Sequence, residues 1–213
     1  GGPFNYLPLN KFTKITPKKA LKHPSWKMGK KISIDSATMM NKVFEVIEAK
    51  KIFDLEYNKI EILVHPKSYV HAIVKFKNGL TKILIHETDM TIPIFNSIYP
   101  NFQKKIFSKK INLDILNDLN FNPVNIKKFP VVKVLDKLPK QDSLFETILV
   151  STNDFLVNMF LKNEIRFIDI SIILTKLMKL REFTKYKSKK PKNINDILEL
   201  HHYVSLKIKS LSV

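Results

Sequence analysis

Between Ile34 and Glu45 the chain reads Ile34-Asp35-Ser36-Ala37-Thr38-Met39-Met40-Asn41-Lys42-Val43-Phe44-Glu45, which sets hydroxyl, amide, ammonium and carboxylate groups close together. Such a set suits phosphate and a divalent cation. Lys42 offers a point charge, Ser36 and Asn41 offer directional donors, and Glu45 offers the oxygen ligand that a hard metal ion prefers. A helix starting at Asp35 or Ser36 and running to about Asp54 would place Asn41 and Glu45 at i, i+4 and Lys42 and Glu45 at i, i+3, on one side. Ser36 would then stand at the helix N-terminus, where free N–H groups and the dipole favour an anion. A plainer reading makes Ser36 only an N-cap. In that reading Asn41, Lys42 and Glu45 are the solvated face of an amphipathic helix that buries Met39, Val43, Val46, Ile47 and Phe53.

The elements around this segment give an alternating helix-and-strand region over residues 1 to about 107. Strand-like runs cover Ile60–Val64, Val70–Phe76 and Leu80–Ile85, and Asn78-Gly79 between the last two is a strong hairpin signal. A helix is expected after Pro93, ending near Tyr99-Pro100. Residues 108–130 alternate short apolar words with Asn, Asp, Lys and Pro and read as an extended linker carrying a strand. Helical spacing follows in Val131–Leu135, Asp142–Asn163, Ile168–Lys179 and Ile194–Ser210, interrupted by the basic loop 187–192. These helices predict a small C-terminal bundle over 131–213 with a structural role. Asn193 before Ile194, with Asp196 in the first turn, is a start signal for the last helix. The adjacent His201 and His202 cannot both line one helix face as metal ligands.

The sequence has 213 residues, 44% of them apolar, enough for one good core or two small ones. No apolar run approaches the roughly 18 residues of a membrane span. With no cysteine, neither a disulfide nor a thiolate metal site is available. A net charge of +18 would ordinarily suggest nucleic acid. The lysines, however, are spread throughout, Arg166 and Arg181 are the only arginines, and no aromatic-basic reading motif or zinc finger occurs. Abundant Lys, Asn, Ile and Phe is the profile of an AT-rich genome. The expectation is therefore no nucleic acid, with the positive field steering small anions instead. A noncatalytic, RNA-associated or assembly module is kept as the alternative.

The run His23-Pro24-Ser25-Trp26-Lys27-Met28-Gly29-Lys30-Lys31-Ile32-Ser33-Ile34-Asp35-Ser36-Ala37-Thr38-Met39-Met40-Asn41-Lys42 closely resembles the central signature of the 1-deoxy-D-xylulose 5-phosphate reductoisomerase family. Gly1-Gly2-Pro3-Phe4 precedes it, His65-Pro66-Lys67-Ser68-Tyr69-Val70-His71 follows it, and Asp89-Met90-Thr91-Ile92-Pro93 comes later, four blocks in family order. The resemblance implies reductive isomerisation of 1-deoxy-D-xylulose 5-phosphate to 2-C-methyl-D-erythritol 4-phosphate, with NADPH and Mg²⁺ or Mn²⁺, in the non-mevalonate isoprenoid pathway. It implies that His23, Ser36, Asn41 and Lys42 hold the substrate phosphate and that Glu45 is one metal carboxylate. His71 would be a partner near Glu45 and the substrate, against the alternative of a structural strand histidine; His65 reads more readily as structural.

By the same resemblance Leu21–Lys30 is a lid, with Trp26 and Met28 over the reacting centre and Gly29 approaching the cofactor. Trp26 as a core anchor is the competing reading, and its lysine-rich flanks favour the loop. Met90 would meet the nicotinamide end of NADPH, or else be a packing methionine. Family members carry an N-terminal NADPH-binding Rossmann domain and two further metal carboxylates. No G-x-G-x-x-G occurs here and no initiator Met, so the chain is expected to be the C-terminal portion of a longer enzyme, inactive in isolation. The expected fold is an α+β catalytic domain with a partly antiparallel sheet, then the linker and the helical bundle. The resemblance further implies a homodimer, in a bacterial cytoplasm or an apicoplast-type plastid. Two departures from the family pattern stand near the site, Asn5 where Arg is expected and Thr88 where Pro is usual.

Overall fold

The computed structural model describes residues 2–22, 28–100 and 104–211. The described residues are rich in helix, with two small antiparallel ladders among them. A 3₁₀ turn over Leu9–Lys14 leads into α1 (Pro17–Ala20), α2 (Lys30–Thr38) and α3 (Met40–Phe53). Then come β1 (Leu63–Val64), β2 (Val70–Lys75), β3 (Thr81–Ile85), α4 (Thr91–Ile98), α5 (Leu113–Asn117) and β4 (Asn122–Pro123). A 3₁₀ stretch over Pro130–Lys137 precedes α6 (Phe145–Leu161), α7 (Phe167–Leu177), α8 (Arg181–Thr184) and α9 (Ile194–Leu211). By contacts, Leu63–Pro123 forms one compact unit, and Gly2–Ile62 with the chain from Val124 onward forms the other. That grouping crosses the sequence boundaries at 107 and 130.

In the larger unit α6 is the central helix. Phe145, Ile148, Leu149, Leu156, Val157 and Phe160 are all buried, and α2, α7 and α9 pack against it. A helix apolar on several sides must be surrounded, whereas α9 buries the single stripe Leu200, Val204 and Ile208, as an outer helix does. Asn193 starts α9 as expected, its Oδ1 accepting the N–H groups of Asn195 and Asp196 at 2.8 and 3.2 Å. The N-terminal segment joins this core through an aromatic cluster. Phe4 and Phe167 meet edge to face at 5.3 Å, Phe12 and Phe129 at 5.9 Å, and Phe160 and Phe167 at 5.7 Å.

The expected helix from Asp35 or Ser36 is two helices. Gly29, extended at φ −62° and ψ 162°, precedes α2, which starts at Lys30. Met39 in the left-handed region (φ 69°) separates α2 from α3. Ser36 therefore lies in the last turn of α2 and is not an N-cap. The buried face of α3 is Met40, Val43, Val46 and Ile47. Phe53, expected in that face, is 69% exposed, because it lies at the last helical position, before the left-handed Asp54.

In the smaller unit β2 and β3 form the expected hairpin, with Lys75 opposite Thr81. Its loop is Lys77-Asn78-Gly79. Phe76 N–H donates to Leu80 O at 2.8 Å, Gly79 N–H donates to Phe76 O at 3.1 Å, and Gly79 holds φ 90°. A three-residue loop of this kind needs a left-handed residue at its end, which glycine supplies without strain. Of the expected strand 60–64 only Leu63–Val64 pairs, antiparallel with β4. The helix near Pro93 begins earlier, at Thr91, since proline is tolerated in a first turn, and Asp89 Oδ1 accepts Thr91 N–H at 2.9 Å. The supposed linker holds α5 as well as β4, α5 being capped by Asn112 Oδ1 on Ile115 N–H at 3.1 Å. The basic loop is partly helical, turning as a 3₁₀ helix over Lys185–Ser188.

Candidate anion and metal site at the α2–α3 junction

Asn41, Lys42 and Glu45 converge in the first turns of α3. Glu45 Oε1 accepts from Asn41 Nδ2 at 2.6 Å, and the Lys42 ammonium stands 2.7 Å from both Glu45 oxygens. The i, i+3 and i, i+4 spacing read from the sequence produces this cluster directly. It is half exposed, with Lys42 at 35% and Glu45 at 47% side-chain accessibility, so it is open to a solute. The buried residues Met40, Val43 and Ile47 hold the opposite face of α3 in the core and so fix which way the polar face points.

Ser36 approaches this junction from α2, its carbonyl accepting Met39 N–H at 3.2 Å. Gly2 lies against it: a Cβ there would stand 2.4 Å from the Ser36 carbonyl oxygen and 2.7 Å from Ala37 Cα. Only glycine permits that approach of backbone to backbone. Farther up α2, Gly29 O accepts Ser33 N–H at 3.1 Å and Ser33 Oγ at 2.8 Å, and a Cβ on Gly29 would meet nothing within 4 Å. Met28 is partly buried and Gly29 exposed. His23 and Trp26 lie outside the described residues.

Beneath the site is a cluster that sequence reasoning did not single out. Asp35, 2% exposed, accepts from Lys31 Nζ at 2.6 Å and, across to α6, from Asn153 Nδ2 at 2.7 Å. Lys31 also reaches Asp154 at 3.0 Å and lies 5.2 Å above the Phe44 ring. Burial pushes the Asp35 carboxyl up, against the lowering effect of Lys31 and Asn153. Burial likewise opposes the Lys31 charge, and its two carboxylate partners outweigh that and raise its pKa. The Lys31–Asp35 spacing was visible as i, i+4; Asn153, 118 positions away, gave no signal.

His71 and Met90 belong to the smaller unit. Val70 pairs with Ile85 and Ala72 with Leu84, so the ladder is irregular at His71, an arrangement that re-aims a side chain. The His71 and His86 rings stack at 3.5 Å, 5° from parallel, and His71 Nε2 is 3.0 Å from His86 O. Met90 is 53% exposed. His65 is buried beside Phe121, ring centroids 5.3 Å apart, and desolvation holds its imidazole below the ordinary histidine range. Among the described residues no three His, Asp or Glu side chains gather as a metal cage. Among them, too, no helix is long and apolar enough to cross a membrane.

Two family models match the sequence, described as the 1-deoxy-D-xylulose 5-phosphate reductoisomerase C-terminal domain over residues 1–53 and the DXP reductoisomerase C-terminal domain over 85–205. The chain is 62% identical over 213 residues to 1-deoxy-D-xylulose 5-phosphate reductoisomerase of Pelagibacter ubique, covering 100% of the chain and 55% of that protein. It is 36% identical over 203 residues to the apicoplastic enzyme of Plasmodium falciparum, covering 95% of the chain and 42% of that protein. A crystal structure of DOX-P reductoisomerase with NADPH, fosmidomycin and magnesium superposes with a TM-score of 0.88 at 30% identity, over 99% of this chain and 52% of the other. The Zymomonas mobilis enzyme with NADPH gives 0.84 at 28%, over 100% and 53%. The chain thus spans about half the length of the curated relatives it matches.

Proposed function

The chain belongs to the 1-deoxy-D-xylulose 5-phosphate reductoisomerase family, and from that premise we propose that it contributes the substrate-phosphate site, one metal carboxylate and a lid to an enzyme of that activity. The reaction is the NADPH-dependent and Mg²⁺- or Mn²⁺-dependent conversion of 1-deoxy-D-xylulose 5-phosphate to 2-C-methyl-D-erythritol 4-phosphate. The observation that carries the reading is the convergence of Asn41, Lys42 and Glu45 at 2.6–2.7 Å, a few residues after Ser36 and inside the segment that the first family model matches.

Each residue has a chemical part. Lys42 and Asn41 are donors, and a phosphate placed between them and the Ser36 hydroxyl receives one charge-assisted and two neutral hydrogen bonds. Holding the substrate by its unreactive phosphate fixes the reacting carbons in one orientation. Glu45 fits a hard divalent ion as one oxygen ligand, within a set that the described residues do not complete. When bound, that ion acts as a Lewis acid on substrate oxygens. Lys42 keeps the Glu45 carboxylate aligned and lies within reach of either anion.

In this reading His23 joins the phosphate site, and Trp26 and Met28 in the lid segment exclude water. Gly29 contacts NADPH, and Met90 and His71, in the smaller unit, keep the cofactor and substrate roles that the family resemblance gives them. The remaining parts of the proposal are a homodimer, no nucleic-acid or membrane partner, and a catalytic region 1–107 followed by linker and bundle. A bacterial cytoplasm is favoured over an apicoplast-type plastid by the higher identity to the bacterial relative. The test is NADPH oxidation with 1-deoxy-D-xylulose 5-phosphate and Mg²⁺ by the full-length protein carrying this segment, beside Glu45→Gln. Metal-dependent turnover that falls by about 10²-fold or more with that change is the expected result. A folded full-length protein with no turnover, and with salt-sensitive RNA binding instead, overturns it in favour of the noncatalytic module.

A further inference from the structure

We infer that Asp35 is the positioning residue of the phosphate site, clamping the α2–α3 junction to α6 through Asn153 and Lys31; this rests on the functional reading above. Asp35 is adjacent to Ser36 and faces the other way, into the core, at 2% exposure. Its two carboxylate oxygens are used separately. Oδ1 accepts from Asn153 Nδ2 on α6 at 2.7 Å, and Oδ2 accepts from Lys31 Nζ at 2.6 Å.

The junction hangs from the same residue by its backbone. Thr38 Oγ1 donates to the Asp35 carbonyl at 3.1 Å and accepts the N–H of Met40, the first residue of α3, at 3.3 Å. A continuous run of hydrogen bonds thus joins α6, Asp35, Thr38 and the start of the helix that bears Asn41, Lys42 and Glu45. Lys31 adds a third tie. Its ammonium bridges Asp35 and Asp154 and lies over Phe44, the neighbour of Glu45. A core that needed only to be filled would put an apolar side chain here, since a buried ionic cluster is weak as a source of stability. What the cluster supplies is a fixed direction: Ser36 on one helix and Lys42 on the next are held at one separation.

An amide replaces this carboxylate only in part. Asp35→Asn removes the charge that faces the Lys31 ammonium, and its one oxygen accepts from Lys31 only with Nδ2 turned toward Asn153, whose own amide must then flip to present its oxygen. Exchanging the pair returns the charge to the cluster: in Asp35→Asn with Asn153→Asp, the amide at 35 donates to the carboxylate at 153 and accepts from Lys31.

The experiment uses the full-length protein and inorganic phosphate, with affinity read by calorimetry and thermal unfolding recorded alongside. Wild type is expected to bind phosphate and Lys42→Ala to lose it. Asp35→Asn is expected to weaken binding by about tenfold or more, with KM for the sugar phosphate rising more than kcat falls, and the exchanged pair is expected to restore affinity. If Asp35→Asn melts earlier but its folded fraction binds phosphate as wild type does, or if the exchange restores melting and not binding, the inference is overturned. If wild-type phosphate binding is indifferent to Lys42→Ala, the functional reading itself falls and the inference with it. Should Asp35→Asn not fold, Lys31→Met, at a half-exposed position, is expected to weaken phosphate in the same direction; unchanged affinity there overturns the inference.

Discussion

The Lys42 ammonium stands 2.7 Å from both carboxylate oxygens of Glu45, so a cation-ligand candidate and a phosphate-ligand candidate are already paired with each other. Glu45→Gln removes one charge from a half-exposed pair, and such pairs contribute little to stability, about 0–1 kcal/mol. The expected outcome is a melting temperature close to wild type with metal-dependent turnover reduced by about 10²-fold or more, since a metal is worth several kcal/mol in the transition state. Calorimetric unfolding beside a Mg²⁺ titration of activity checks both halves.

Two glycines are expected to behave in opposite ways. Gly2→Ala drives a methyl into the Ser36 backbone, and because the contact is backbone on backbone no side chain can yield. A cost of about 1–3 kcal/mol is expected from overpacking of this kind, read as a lower urea midpoint with weakened phosphate binding. Gly29→Ala meets open space. Its stability is expected to change by less than about 0.5 kcal/mol, while KM for NADPH rises about tenfold if the cofactor approaches here. Unchanged KM at Gly29→Ala removes that residue from the cofactor site.

Asp54 closes α3 at φ 50° and ψ 47°, exposed, with a negative charge at the negative end of the helix dipole. Asp54→Gly relieves both penalties and is expected to stabilise the chain by about 0.5–1 kcal/mol. A denaturant midpoint at or below wild type would contradict this.

The hydrogen bonds from Arg166 to Asp169 hold that carboxyl below the usual carboxylate range, and Asp169 also accepts the Arg166 N–H at 2.9 Å at the start of α7. A folded-state pKa below the unfolded value of about 3.9 contributes stability that is present above that value and lost as pH falls through the folded one. Between about pH 4 and pH 2 the wild type is therefore expected to lose more stability than Asp169→Asn. Urea midpoints across that range measure the difference, and parallel curves for the two proteins would refute it.

Local patterns were legible in the sequence and distant ones were not. The apolar repeats of α6, α7 and α9 and the Asn78-Gly79 turn predict elements close to those found, because each depends on neighbours within a few residues. Asn41, Lys42 and Glu45 converge for the same reason. The break at Met39 carries no glycine or proline to announce it; a buried methionine is held at positive φ by packing around it. Asn153 is invisible from Asp35 until α6 is folded against α2. The stack of His86 on His71 likewise depends on strand register, which the two residue types do not encode.

The left-handed turn at Met39 also makes the junction sensitive to length, beside the chemistry of Asp35 and Thr38. Adding or deleting one residue between Thr38 and Met40 would leave most of α2 and α3 helical, yet change the turn that sets the Asn41–Glu45 face relative to Ser36. In lineages carrying this segment, a single-codon insertion or deletion at the junction is thus expected to work like a gear slipping one tooth and to disable both halves at once.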